Sequence, residues 1–148
     1  MCKQFTSSVK PQLVSQYVQT GKVKFEFRDY AFIGPESTLA AQGADCAAKQ
    51  GQFWAYHDTL YANQPSENSG KVTKTYLKNI ASKLGLDTGQ FNQCLDSGAT
   101  AQQVQQDLQS AQQQKLGGTP TIFVNGQQLS SATWDSVQAA VEAELKKS

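Results

Sequence analysis

The chain is 148 residues long, with a net charge of +1 and a charged fraction of 17%. That length suits one domain with a sizeable core, and so small a charge gives no electrostatic case for nucleic acid or for an anionic membrane surface. No apolar run approaches the ~18 residues that a membrane-crossing helix needs, and no basic-then-apolar leader follows Met1, Cys2 and Lys3.

In chain order, Phe5, Val9, Leu13, Val14 and Tyr17 recur at helical spacing, which predicts a helix from Cys2 to about Thr20. Pro11 inside that pattern predicts a kink or a break, and Gly21 supplies the residue just past the helix end. Val23 to Tyr30 alternates Val, Phe and Phe with polar residues and predicts a strand. From about Pro35 to Lys115 the patterns are all helical. The run Ser37 to Ala62 is weakened by Gly43 and Gly51 and is long enough for two helices. A further amphipathic helix carries Val72, Tyr76, Leu77, Ile80, Ala81 and Leu84 and ends at Gly85. Asp87 and Gln90 resemble a capping box opening a short helix through Phe91, Cys94 and Leu95. A Gln-rich helix with a narrow stripe of Ala101, Val104, Leu108 and Ala111 follows, its glutamines reading as a solvated face.

The last segment changes character. Thr121-Ile122-Phe123-Val124 is a β-branched and aromatic run headed by Pro120, a residue that can open a strand but not sit within its ladder. Asn125-Gly126 predicts a tight hairpin turn into a short strand at about Gln127 to Leu129. Thr133 then caps a final helix through Trp134, Val137, Ala140, Val141 and Leu145, with Trp134 as its anchor.

Three cysteines are present, Cys2, Cys46 and Cys94, and none makes a CxxC pair with another. With one histidine, His57, the chain has no metal-ligand spacing, and neither a metal site nor a cofactor is expected. His57 lies among aromatics at helical spacing and reads as a packed residue. Arg28 and Asp29 read as a local pair or a solvated strand edge. From the residues alone, Pro120 could be an ordinary trans proline, Cys2 an incidental thiol, and Cys46 and Cys94 two reduced core residues.

Read together, the two ends resemble a known family. Thr119-Pro120-Thr121-Ile122-Phe123-Val124-Asn125-Gly126 is similar to the cis-proline loop and hairpin of thioredoxin-fold proteins, and Cys2-Lys3-Gln4-Phe5 to the second half of a CxxC motif entering its helix. Phe27 to Tyr30, Cys46 to Asp58, Leu84 to Asp87 and Phe91 to Ser97 resemble the DsbA-like thiol-disulfide oxidoreductases. Within that family they resemble the branch that partners vitamin K epoxide reductase-like membrane proteins. The likeness spans the whole chain in order.

The resemblance implies an α/β, thioredoxin-like fold with a helical domain inserted between the second core strand and the cis-proline strand. On that plan the thioredoxin core is about 1–34 and 115–148 and the insertion about 35–114. The family's first core strand, which lies between the strands predicted at Val23 and Thr121, has no counterpart here. The expectation is therefore a chain that starts inside its CxxC motif, with the nucleophilic first cysteine, the first strand and any signal or anchor missing.

The resemblance gives Cys2 the role of resolving cysteine, and Thr119 and Pro120 that of holding an extended substrate segment by strand addition. It pairs Cys46 with Cys94 as a structural disulfide. It implies cysteine-containing exported proteins as substrates, an extracytoplasmic setting in the bacterial periplasm or cell envelope, and regeneration by a quinone-linked or vitamin K epoxide reductase-like membrane partner. Two other readings stand beside it: a thioredoxin-fold module that binds proteins without catalysis, and an unrelated helical adaptor, against which the Thr-Pro-strand-turn-strand-helix ending argues.

Overall fold

The chain opens on one continuous run of helix, from residue 2 to residue 18, in the computed structural model, which describes residues 1–148. The run alternates in pitch: α1 (Cys2–Gln4), a π-helical stretch Phe5–Val9, α2 (Lys10–Leu13) and a second π-helical stretch Val14–Val18. Pro11 accounts for the first widening. It has no N–H to give to the preceding turn, and the wide turn just before it lets the Lys10 N–H reach back five residues to the Phe5 carbonyl. The predicted break is thus taken up by a change of pitch. Gly21 follows the run at φ +78°, and the Lys22 N–H closes it on the Tyr17 carbonyl at 2.9 Å.

Two compact units follow from the contacts: residues 1–27 with 116–148, and residues 28–115. In the first, Phe5, Val9, Leu13 and Tyr17 from the opening helix pack with Val137 and Val141 of α8 (Trp134–Leu145). Val23, Phe25, Ile122, Val124 and Leu129 lie against the same core. The sheet is small: β1 (Phe123–Val124) pairs antiparallel with β2 (Gln127–Gln128), Phe123 opposite Gln128, around Asn125 and Gly126, both with positive φ as a tight hairpin turn requires. The predicted strand from Val23 to Tyr30 makes no ladder, because no strand runs beside it. It remains an uncoiled segment whose apolar residues Val23 and Phe25 still cover the core.

The second unit is helical: α3 (Pro35–Ala48), α4 (Phe53–Ala62), α5 (Lys74–Lys83), α6 (Thr88–Ser97) and α7 (Ala101–Gln113). Gly51, at φ +70°, separates α3 from α4 where the sequence weakens. The caps are local. The Thr73 hydroxyl accepts from the Tyr76 N–H at 3.1 Å, and the Asp87 carboxylate accepts from the Gln90 N–H at 3.0 Å. The reciprocal arm of the predicted capping box is replaced by Gln50, whose amide accepts from the Asp87 N–H at 2.8 Å and donates to the Asp87 carbonyl at 3.0 Å. The core is built on Tyr56, Leu77, Ala81, Phe91 and Leu95. Gly43 lets the Tyr56 hydroxyl pass within 3.1 Å of where a Cβ would stand, and that hydroxyl donates to the Leu77 carbonyl at 2.9 Å.

Candidate functional site

Cys2 stands in the first turn of the opening helix, half-buried and free, three residues before Phe5, which is fixed in the core of the first unit. The Phe5 N–H closes the turn on the Met1 carbonyl at 3.0 Å. A thiol so placed is held by a packed helix and is still open to reagents.

Thr119 and Pro120 belong to the same unit, and their peptide bond is cis. Two residues on, Ile122 packs against the core that also holds Phe5. The Thr121 hydroxyl donates to the Gly118 carbonyl at 2.6 Å and fixes the loop from within. The Leu129 N–H donates to the Ile122 carbonyl at 2.8 Å, so the second strand ties this segment on one side. Phe123 is 42% exposed, and Thr119, Pro120 and Thr121 are half-buried. A cysteine and a partly open loop leading into β1 are therefore carried by one core.

Cys46 and Cys94 are joined as a disulfide in the second unit, with Cα atoms 5.9 Å apart and a sequence separation of 48. The bridge ties α3 to α6. Its two sulfurs live in different surroundings: Cys46 is 1% exposed, and Cys94 is half-buried. The Sγ of Cys46 lies 3.9 Å from the Thr100 hydroxyl, which itself donates to the Gln42 carbonyl at 3.0 Å.

His57 is buried in α4, with its ring against Phe53, Trp54 and Tyr61 and its Nδ1 2.9 Å from a carboxylate oxygen of Asp58. It is a packed residue among aromatics. Asp29 differs from its sequence reading. It is not a solvated edge but is nine-tenths buried, and its N–H donates to the Asp107 carboxylate at 3.3 Å. Burial, then Asp45 and Asp107, push its carboxyl up to about 7, while burial and Asp107 push Asp45 up to about 6. Asp45 Oδ2 is buried and accepts no hydrogen bond. Sixteen or more positions separate these aspartates in sequence, so no local spacing announces them. No group of three or more His, Cys, Asp or Glu side chains is placed to hold a metal ion.

The thioredoxin family profile matches residues 1–143. The chain is 33% identical to the "Probable disulfide bond formation protein D" of Bacillus anthracis, over 99% of this chain and 69% of that one. It is 32% identical to the "Disulfide bond formation protein D" of Bacillus subtilis strain 168, over 98% and 67%. Among solved structures it is similar to oxidised BdbD from Bacillus subtilis, with a TM-score of 0.89 and 31% identity over 98% of this chain and 80% of that one.

Proposed function

The chain belongs to the thioredoxin family, and from that premise we propose that it is a thiol-disulfide oxidoreductase domain acting on cysteines of exported proteins by disulfide exchange. One observation carries the reading: a free, accessible cysteine at the start of a packed helix shares a core with a loop containing a cis Thr119-Pro120 bond. The relatives named for disulfide bond formation support it.

In this reading Cys2 is the resolving cysteine of a CxxC pair whose first member lies outside these residues. Residues 23–27, which alternate as a strand does, enter no sheet, and a first core strand is what would bring them into one. A substrate lies extended along Thr119 and Pro120. Its thiolate attacks the first cysteine of the oxidised pair, and Cys2 leaves as the thiolate. A second substrate thiolate then attacks the substrate sulfur of that mixed disulfide. The substrate gains a disulfide, and the enzyme is left as a dithiol, its two electrons passing to a membrane quinone-linked or vitamin K epoxide reductase-like partner. The reading sets the domain in the periplasm or cell envelope, where oxidising conditions let the Cys46–Cys94 bridge form.

One observation favours a second reading, a binding module without catalysis: Cys2 has no second free cysteine in this sequence. The intact mass of the protein from its source, alkylated with and without reduction, separates the two. Four alkylatable cysteines after reduction, with two forming a reducible pair that includes Cys2, support the oxidoreductase. Three cysteines and a free Cys2 leave the binding module.

A further inference from the structure

We propose that the Cys46–Cys94 bridge is a second redox site, opened at Cys94 by an anionic low-molecular-weight thiol that enters a surface depression beside Lys49. The proposal concerns the helical unit and does not rest on the role given to Cys2.

The two sulfurs are unequal. Disulfide exchange is an in-line displacement, in which the attacking thiolate approaches one sulfur from the side opposite the leaving one. Cys46 is 1% exposed and packed in the core of the unit, so no thiolate reaches it in the folded protein. Cys94 lines an open depression of about 250 Å³ with Lys49, Gln90, Gln93, Ser97 and Ala99. Gln90, Gln93, Cys94 and Ser97 stand three, four and seven residues apart on α6, so one face of that helix forms the floor. Cys46 lies on the buried side, and the half-buried Cys94 is the member of the pair that meets the depression. Lys49 supplies a positive charge at the rim, and the glutamines supply neutral hydrogen-bonding groups. One cation among neutral hydrogen-bonding groups favours a small thiol that carries a carboxylate.

A leaving group must also be received. Expelled from the bridge, the Cys46 sulfur takes up a proton as a buried thiol. Thr100 is in place for it: its own hydroxyl proton is committed to the Gln42 carbonyl, and its oxygen, 3.9 Å from the Cys46 sulfur, is left to accept from an S–H. The step balances. One thiolate forms a bond to the Cys94 sulfur, the Cys46–Cys94 bond breaks, and Cys46 carries away the electron pair and is protonated. A second molecule of the same thiol attacks the adduct, leaving two protein thiols and the oxidised small thiol. The result uncouples α3 from α6.

The test uses the full chain carrying Cys2→Ser, so that the remaining thiol chemistry belongs to the bridge. It is treated with reduced glutathione under native conditions, quenched with acid at early times, then alkylated and mapped by mass spectrometry. The expected result is glutathione on Cys94, alkylation on Cys46, and a rate that rises with glutathione concentration. Lys49→Glu should slow reaction with glutathione about threefold and leave cationic cysteamine no slower, since the reversed charge acts on the sign of the reagent. An adduct on Cys46, a rate independent of thiol concentration, or equal effects of Lys49→Glu on both thiols would overturn the proposal.

Discussion

The two units of this chain meet the same demand, that buried backbone be hydrogen-bonded, by opposite means. The helical unit meets it from within: its helices close their own carbonyls, Thr73 and Asp87 cap two of them, and a disulfide joins α3 to α6. The other unit has an equally apolar core, yet its extended segments are barely paired. Its one sheet is two residues deep, and residues 23–27 belong to no ladder. A helix is complete where it stands, whereas a strand depends on a neighbour supplied from elsewhere in the chain. The contrast teaches that apolar pattern alone places a segment on a core without making it part of a sheet.

The widest separation should be seen in amide hydrogen exchange. The amides of residues 24–27 should exchange at least about a thousandfold faster than those of Leu77, Ile80 and Phe91 in α5 and α6. Equal protection would break the comparison. Next, replacing both Cys46 and Cys94 by alanine should lower the stability of the helical unit by up to about 4 kcal/mol, from the loop-closure entropy of a 48-residue separation, read from urea unfolding. The oxidised and reduced forms of the unaltered chain should differ by a similar amount.

The aspartate cluster gives the helical unit a pH dependence of its own. The carboxyl of Asp29 is raised to about 7 in the folded chain, above its unfolded value near 4, so the folded state holds the extra proton. Its contribution is fully present below about pH 4 and is lost as pH rises through about 7. Stability should therefore fall across that window, and Asp29→Asn should flatten the fall and make the protein more stable at pH 8 by about 1–3 kcal/mol. Thermal unfolding of both forms at pH 5 and pH 8 checks this, and a slope unchanged by the substitution would remove Asp29 as its source.

Much of this was legible beforehand. The helices of residues 35–115 carry 3.6-residue apolar stripes, and Gly51, Gly85, Asp87 and Thr133 mark boundaries that the structure keeps. The Asn125-Gly126 turn announced itself because its dihedrals demand those residues. Val23 to Tyr30 misled because alternation reports which face is buried, not whether a partner is present. Asp29 misled for a related reason: its company, Asp45 and Asp107, is assembled only by the packing of distant segments. The pairing of Cys46 with Cys94 was expected from family likeness; the inequality of their exposure was not legible, since both lie in similar amphipathic helices.

The smallest effect tests how the helical unit closes its ends. Asp87 caps α6 with its side chain, and its backbone is held at N–H and carbonyl by Gln50, just beyond α3. Asp87→Ala removes the first of these and leaves the Gln50 clamp, so it should cost about 1 kcal/mol. Gln50→Ala leaves the cap and removes the clamp, freeing two backbone groups that lie at the exposed surface and that water can satisfy. That change should cost less than the cap, about 0.5 kcal/mol. If the two losses add in the double variant, cap and clamp act independently. If the double variant loses more than their sum, Gln50 holds the Asp87 backbone where its carboxylate can reach the Gln90 N–H, and the unit's self-sufficiency extends to the positioning of its caps.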